Sequence, residues 1–280
     1  MLSYRHAFHA GNYADVLKHL VLTRIVTHLT KKSAPVCYID THAGAGGYSL
    51  LCSEAKKTDE FSQGIGQLWG QKKLPAALGE YLQLIEQFNQ GAALKHYPGS
   101  PWLARQLLRK QDRLELCELH PKDYALLAKQ FAGERRVKCH FDDGFQRSLG
   151  LVPPVERRGL VLIDPSYEVK HDYDKVVTHI KALHKRFATG TYALWYPLVD
   201  VARIKRMEQA FVRSGMRNIE LYEVSQSDDH AQPGMTASGM IVVNPPWTLK
   251  QDVREALEWF GPQISDNGQA LYRITELVPE

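Results

Sequence analysis

The sequence predicts a doubly wound α/β fold: a seven-stranded, mostly parallel sheet with an antiparallel last strand and a small inserted helical lobe. Three observations carry this. Short apolar runs recur along the chain, helical stretches lie between most of them, and the last two runs stand too close for a crossover helix. A helix opens at Asn12 or Ala14 and runs to about Lys32, with Val16, Leu17, Leu20, Val21, Ile25, Val26 and Leu29 as its apolar stripe. The strands follow as "VCYIDTHAG" (36–44), "RLELCELH" (113–120), "VKCHFDDG" (137–144), "GLVLIDPSY" (159–167), "TYALWYPL" (191–198), "NIELYEVS" (218–225) and "SGMIVVNPPW" (238–247). Helices are expected near 101–110, 121–132, 172–188 and 200–214. The interval from Tyr48 to Asp112 is too long for one crossover helix. Its last part, "PGSPWLARQLL", predicts a helix with Ser100 as N-cap and Pro101 at the first helical position. Residues 50–96 are then an inserted lobe, with 75–89 as its clearest helix, inside a single domain spanning 1–280 whose first part, 1–34, is an N-terminal motif and helix.

Composition narrows the function classes. Hydrophobic residues make up 44% and charged residues 24% of 280, ordinary for a soluble globular chain. No apolar run approaches the roughly 20 residues of a membrane span. Cys37, Cys117 and Cys139 fall in strand-like runs and Cys52 stands apart, so reduced thiols and a cytoplasmic location are expected. No His or Cys cluster has metal-ligand spacing, so no metal is expected. A net charge of +4 permits a nucleic-acid partner without demanding one.

Ligands of a doubly wound sheet sit beyond the carboxyl ends of its parallel strands. Strand one ends in a Gly-rich turn, Asp40 to Gly47, where the backbone can approach a ligand. A dinucleotide fingerprint would need a third Gly where Ser49 stands, which weakens the rival reading of a nicotinamide oxidoreductase. Strand two delivers Glu118, suited to the hydroxyls of a ribose, and strand three delivers Asp142, Asp143 and Gly144, suited to an adenine edge. Each alone also fits a solvated loop; the ordered set is the stronger signal. Strand four delivers Asp164-Pro165-Ser166-Tyr167. The Asp164 carboxylate and Pro165 carbonyl could accept the two hydrogens of an exocyclic amine, and Tyr167 could stack on a base. The same four residues could equally be a plain turn. "NPPW", Asn244 to Trp247, imitates this motif but follows the antiparallel strand, so it belongs at the opposite sheet edge, read as a turn with Trp247 packed.

"YRHAFHAGNYADVLKH" (4–19), "THAGAGGY", "YPGSPW", "ELHP" and "LIDPSYE" together resemble the bacterial large-subunit (23S) ribosomal RNA adenine-N6 methyltransferase J family, over essentially the full length. The resemblance implies a Rossmann-like class I fold, S-adenosyl-L-methionine as methyl donor, and methylation of an adenine N6 in 23S rRNA, with protein-free RNA and a monomeric enzyme as expectations. Asp40, His42, Gly44 and Gly46 belong to the matched Gly-rich motif. Cofactor contacts are implied at His19, His42, Ser100, Glu118, Asp143, Gly144 and Asp164, with Tyr4 on the RNA side. Asp164-Pro165-Ser166-Tyr167 also resembles the D/N-P-P-Y/F catalytic motif of the wider amino-adenine (N6) methyltransferases, from which Ser166 departs at the second Pro. Lys18 and His19, near the helix start, could face the methionine carboxylate, and Asp15 could pair with His19 four residues on. Tyr4, Arg5, His6 and His9 are expected to form a flap over the target nucleotide. His28 and His184 are expected to be structural. A DNA adenine methyltransferase would share all of this chemistry, and a non-catalytic RNA-binding protein would not need the Asp164 set.

Overall fold

Eight strands, not seven, form the central sheet of the computed structural model, which describes residues 6–91, 93–168, 172–227 and 235–280. They are β1 (Cys37–Asp40), β2 (Arg113–Cys117), β3 (Val137–His140), β4 (Gly159–Ile163), β5 (Thr191–Leu198), β6 (Ile219–Ser225), β7 (Ala237–Val243) and β8 (Tyr272–Val278). Their order is β8-β6-β7-β5-β4-β1-β2-β3. The pairs among β1 to β5 are parallel. β7 runs antiparallel to both β5 and β6, as its short connection to β6 predicted, and β8 adds an antiparallel edge to β6. β8 is the strand the sequence reading missed. Its apolar residues are only half-buried and are interrupted by exposed Arg273 and Glu276, as suits an edge strand.

Burial alternates along the strands and sorts the side chains into two cores. Leu160 and Leu162 of β4 face one cluster, and Val161 and Ile163 face the other. The first core holds α1 (Tyr13–Thr30), α2 (Ala76–Phe88), α3 (Ser100–Leu107) and α8 (Leu249–Ile264). α4 (Pro121–Gln130) flanks β3 and sends Leu127 into the same core. The second core holds α5 (Gly144–Leu151), α6 (Asp172–Arg186) and α7 (Val201–Val212). α5 and α8 were not expected from the sequence.

Asn12 caps α1 with its side chain, accepting from the Asp15 amide at 2.9 Å. α1 packs against α2, α3, α8 and β7 and is buried well beyond its apolar stripe. Asp15, Lys18, His19 and Thr23 therefore lie inside the protein rather than on a solvated face. Ser100 is not the N-cap of α3: Gly99 holds that position, and the Ser100 hydroxyl instead donates to Asp40 at 2.7 Å. Trp247 is not packed either; it is 85% exposed. The turn before it is real, since Asn244 adopts φ of +55° and its side-chain amide donates to the carbonyls of Ala188 and Gly190. Val243 pairs with Tyr192 at the start of β5, so this turn lies at the sheet edge opposite Asp164. The four cysteines are free thiols.

Candidate active site

The parallel register brings four strand ends to one edge. Asp40 pairs with Leu116 and Leu162, so the turns after β1, β2 and β4 leave the sheet side by side. A cavity of about 310 Å³ opens there. Its floor comes from Thr41 to Gly44, Glu118 to His120, Asp143 to Phe145 and Asp164 to Ser166.

The backbone of the first turn is held by the second. Both Glu118 oxygens accept backbone amides, one from Gly44 at 2.8 Å and the other from His120 at 2.6 Å. Gly44 adopts φ of +62°, and a Cβ there would stand 2.2 Å from the Tyr48 hydroxyl, so the turn demands glycine. Asp143 caps α5, accepting from the amides of Phe145 and Gln146. Burial pushes Glu118 above the usual carboxylate range and His42 down to about 4, so His42 is neutral near pH 7. Thr41 bonds the His42 ring at 2.7 Å, and Phe145 meets that ring edge-on.

A second cavity, of about 470 Å³, adjoins the first. The two share His6, Lys18, Asp164 and Ser166. The second is bounded by the N-terminal motif on one side and by Trp195 and Pro197 of β5 on another. At the junction the Lys18 ammonium touches Asp164 Oδ2 at 2.6 Å and Asp15 Oδ1 at 2.8 Å. Asp15 also accepts from the Gly11 amide at 2.8 Å and pairs with His6 at 2.9 Å. Burial opposes both charges of the Asp15–Lys18 pair. It is outweighed for Asp15 by His6 and Lys18, which hold the carboxyl well below its usual range. For Lys18 it is outweighed by Asp15 and Asp164, which hold the ammonium well above its own.

The first cavity gathers Lys18, His19, His42, Gly44, Ser100, Glu118, Asp143, Gly144, Asp164 and Pro165 from among the expected site residues, and His6 as well. His9 lines the second cavity. Tyr4 and Arg5 lie outside the described residues. Three expected residues sit elsewhere. Asp40 is fully buried beneath the turn, where Tyr38 and Ser100 donate to it; burial, opposed by those bonds, pushes it up to about 6. Gly46, at φ of +81°, accepts the Gly99 amide and packs on Gln130. Both hold the turn's shape and do not line the cavity. Tyr167 adopts φ of +53°, donates its hydroxyl to the Trp195 carbonyl at 2.7 Å and packs on Tyr173, so its ring is not presented to either cavity. Asp15 does not bond His19, whose ring meets the Tyr97 hydroxyl at 2.7 Å; burial pushes that histidine down to about 3.

Sequence reading missed the role of Asp15 as a hub and the cavity positions of Tyr48, Leu119, Phe145, Lys175 and Trp195. Leu119 and Phe145 had a signal, since each directly follows an expected ligand residue. Lys175 and Trp195 had none, because only packing aims them at the cleft. Among the described residues, no group of three or more His, Cys, Asp or Glu is placed to hold a metal ion, and no helix is long and apolar enough to cross a membrane.

The sheet order, with an antiparallel strand inserted beside β5 and the site at the ends of β1 to β4, defines a class I methyltransferase. The model of a family described as "Ribosomal RNA large subunit methyltransferase D, RlmJ" matches residues 33–275. A curated protein of Escherichia coli, "Ribosomal RNA large subunit methyltransferase J", is 49% identical over all of both chains. One of the same name from Haemophilus influenzae is 47% identical, also over the whole of both. A crystal structure of a Legionella pneumophila protein superposes with a TM-score of 0.88 at 36% identity, covering 96% of this chain and 98% of that one. The chain belongs to the ribosomal RNA large-subunit methyltransferase J family.

Proposed function

We propose that the protein methylates the N6 amine of an adenine in 23S ribosomal RNA, with S-adenosyl-L-methionine as donor. The observation that carries this reading is the junction: two cavities meet at Asp164, so a donor in one and a base in the other would share that carboxylate. The residues of the first cavity fit the donor. Glu118 is a carboxylate for ribose hydroxyls, Asp143 lies at the adenine side, and Gly44 and Gly144 let the cavity-lining backbone pack closely on Tyr48 and Thr41, where a Cβ would clash. The bound donor supplies an activated methyl group on a sulfonium.

The protein's own residues position and polarise the acceptor. Adenine N6 is a weak nucleophile because its lone pair is delocalised into the ring. The Asp164 carboxylate and the Pro165 carbonyl accept its two hydrogens, which favours a pyramidal nitrogen and stabilises the positive charge that develops on attack. Lys18 occupies Asp164 Oδ2, while Oδ1 has no donor among the described residues. Asp164 is thus oriented, with one oxygen left for the amine, and it takes the proton as transfer completes. Most of the rate gain is positioning of acceptor against donor. The target base must be unpaired or flipped to enter the second cavity. His6 and His9, with the preceding Tyr4 and Arg5, serve the RNA side, and Tyr167 braces Trp195. Residues 1–34 and the lobe at 50–96 belong to one catalytic domain acting as a cytoplasmic monomer.

The test is radiolabelled methyl transfer to protein-free large-subunit rRNA, to assembled subunits and to duplex DNA, with digestion to nucleosides. Label in N6-methyladenosine from naked rRNA supports the reading. Label in DNA alone would keep the chemistry and overturn the substrate. No label, with donor bound, would reduce the protein to a binding role.

A further inference from the structure

Glu60, in a short turn of the lobe, is tied to the N-terminal motif by one carboxylate. It accepts from His9 Nδ1 at 2.9 Å and from the Asn12 side-chain amide at 2.9 Å. The Asn12 contact has a consequence at the other end of the same side chain. With Nδ2 committed to Glu60, Oδ1 points to the Asp15 amide and caps α1 at 2.9 Å. Asp15 binds Lys18, and Lys18 binds Asp164. A continuous chain of contacts thus runs from the lobe to the acceptor carboxylate: Glu60, Asn12, Asp15, Lys18, Asp164.

The surrounding backbone reinforces this link. The Ile65 amide donates to the Gly11 carbonyl at 2.8 Å, and the Thr58 hydroxyl donates to the Phe8 carbonyl. A Cβ at Gly64 would stand 2.1 Å from the Gly11 carbonyl oxygen, so lobe and motif touch backbone to backbone. An inserted segment with no strand of the main sheet is therefore built onto the turn that closes the second cavity.

We propose that Glu60 is a positioning residue for methyl transfer: through Asn12 and Asp15 it fixes the Lys18–Asp164 contact, and through His9 it holds the wall of the acceptor cavity. The inference rests on Asp164 being the acceptor group. It assigns the lobe a part in the chemistry.

The test compares Glu60→Gln and Glu60→Ala with Asn12→Ala, the Glu60→Gln/Asn12→Ala pair and Asp164→Ala. Readouts are the single-turnover transfer rate at saturating donor and rRNA, donor affinity by calorimetry, and the thermal midpoint. Glu60→Gln keeps the shape of a half-exposed side chain and is expected to leave the fold intact. The expected result is a fall of about tenfold or more in transfer rate for Glu60→Gln. Donor affinity should stay within about twofold, and the pair should cost less than the product of its single effects. A wild-type rate for both Glu60 variants overturns the proposal, as does a rate that falls only in step with donor affinity and midpoint. Independent multiplication of the two single effects also overturns it. If Asp164→Ala retains turnover, the failure lies in the reading of Asp164 itself.

Discussion

Lys18 is the cation on which the junction depends. It is buried between two carboxylates, so its removal strands negative charge in the protein interior. Taking one partner from a buried pair typically costs 3–5 kcal/mol. Lys18→Met, which keeps most of the volume, is expected to lower unfolding free energy by about 3 kcal/mol at pH 7.5, measured by urea denaturation. Asp164 carries the opposite expectation. It is partly exposed at the cavity wall. Asp164→Ala is expected to leave the thermal midpoint within a few degrees while lowering single-turnover transfer at least about a hundredfold. Substantial residual transfer would remove Asp164 from the mechanism. The difference between the two variants follows from position: one group balances charge inside the fold, and the other stands on the wall shared by the two cavities.

Strand, turn and helix meet most tightly at Gly144. It starts α5 directly after Asp143, and a Cβ there would stand 1.7 Å from the Thr41 carbonyl oxygen. The obstacle is backbone on β1's own turn, so neither side can yield without moving a cavity wall. Gly144→Ala is expected to weaken donor affinity at least about tenfold and to lower the midpoint, a close approach of this kind belonging with the overpacking costs of 1–3 kcal/mol. Calorimetric titration and a thermal melt check both. Unchanged affinity would mean that α5 can shift without disturbing the site. α1 shows the same dependence in another form. Its first two turns carry Asp15 and Lys18, and its start is fixed by the Asn12 cap.

Buried histidines give the protein as a whole a pH limit. His19 is pushed down to about 3, and His42 and His179 to about 4, in each case chiefly by burial. Their unfolded forms take up a proton below about 6.5, and the folded forms do not. The stability they allow is therefore present above 6.5 and is lost as pH falls towards 4. Asp40, pushed up to about 6, runs the other way: the folded state keeps its proton longer, so its contribution shrinks as pH rises through the range from about 4 to 6. His9 and Glu118, both raised, also oppose the loss. At about 1.4 kcal/mol per proton per pH unit, the three histidines prevail, and unfolding free energy is expected to fall by about 2–4 kcal/mol from pH 7 to pH 5. His179 lies outside both cavities and bonds Ser148 at 3.0 Å. His179→Gln should remove about 1.5–2 kcal/mol of that pH difference. An unaltered pH difference in the variant would show that His179 is not the group that titrates.

By itself the sequence determined the alternation of strands and helices, the antiparallel reversal at β7, and the identity of Glu118, Asp143 and Asp164 as the groups at three strand ends. These are local matters. Apolar runs mark buried strands, a short connection forbids a crossover, and a doubly wound sheet presents whatever follows its parallel strands at one edge. The sequence could not show that Asp40 and Gly46 shape the turn from beneath, or that Tyr167 turns its ring to Tyr173 and Trp195. Nor did it reveal β8, whose half-buried edge dilutes the apolar signal. Tertiary structure alone decided the pairing of Lys18 with Asp164 and the partners of Glu60. Lys18 and Asp164 are 146 positions apart, and Asn12 and Glu60 are 48 apart. Periodicity reports which face of an element is apolar, whereas a buried charge is settled by whichever opposite charge the packing of α1 against the sheet and the lobe brings within reach.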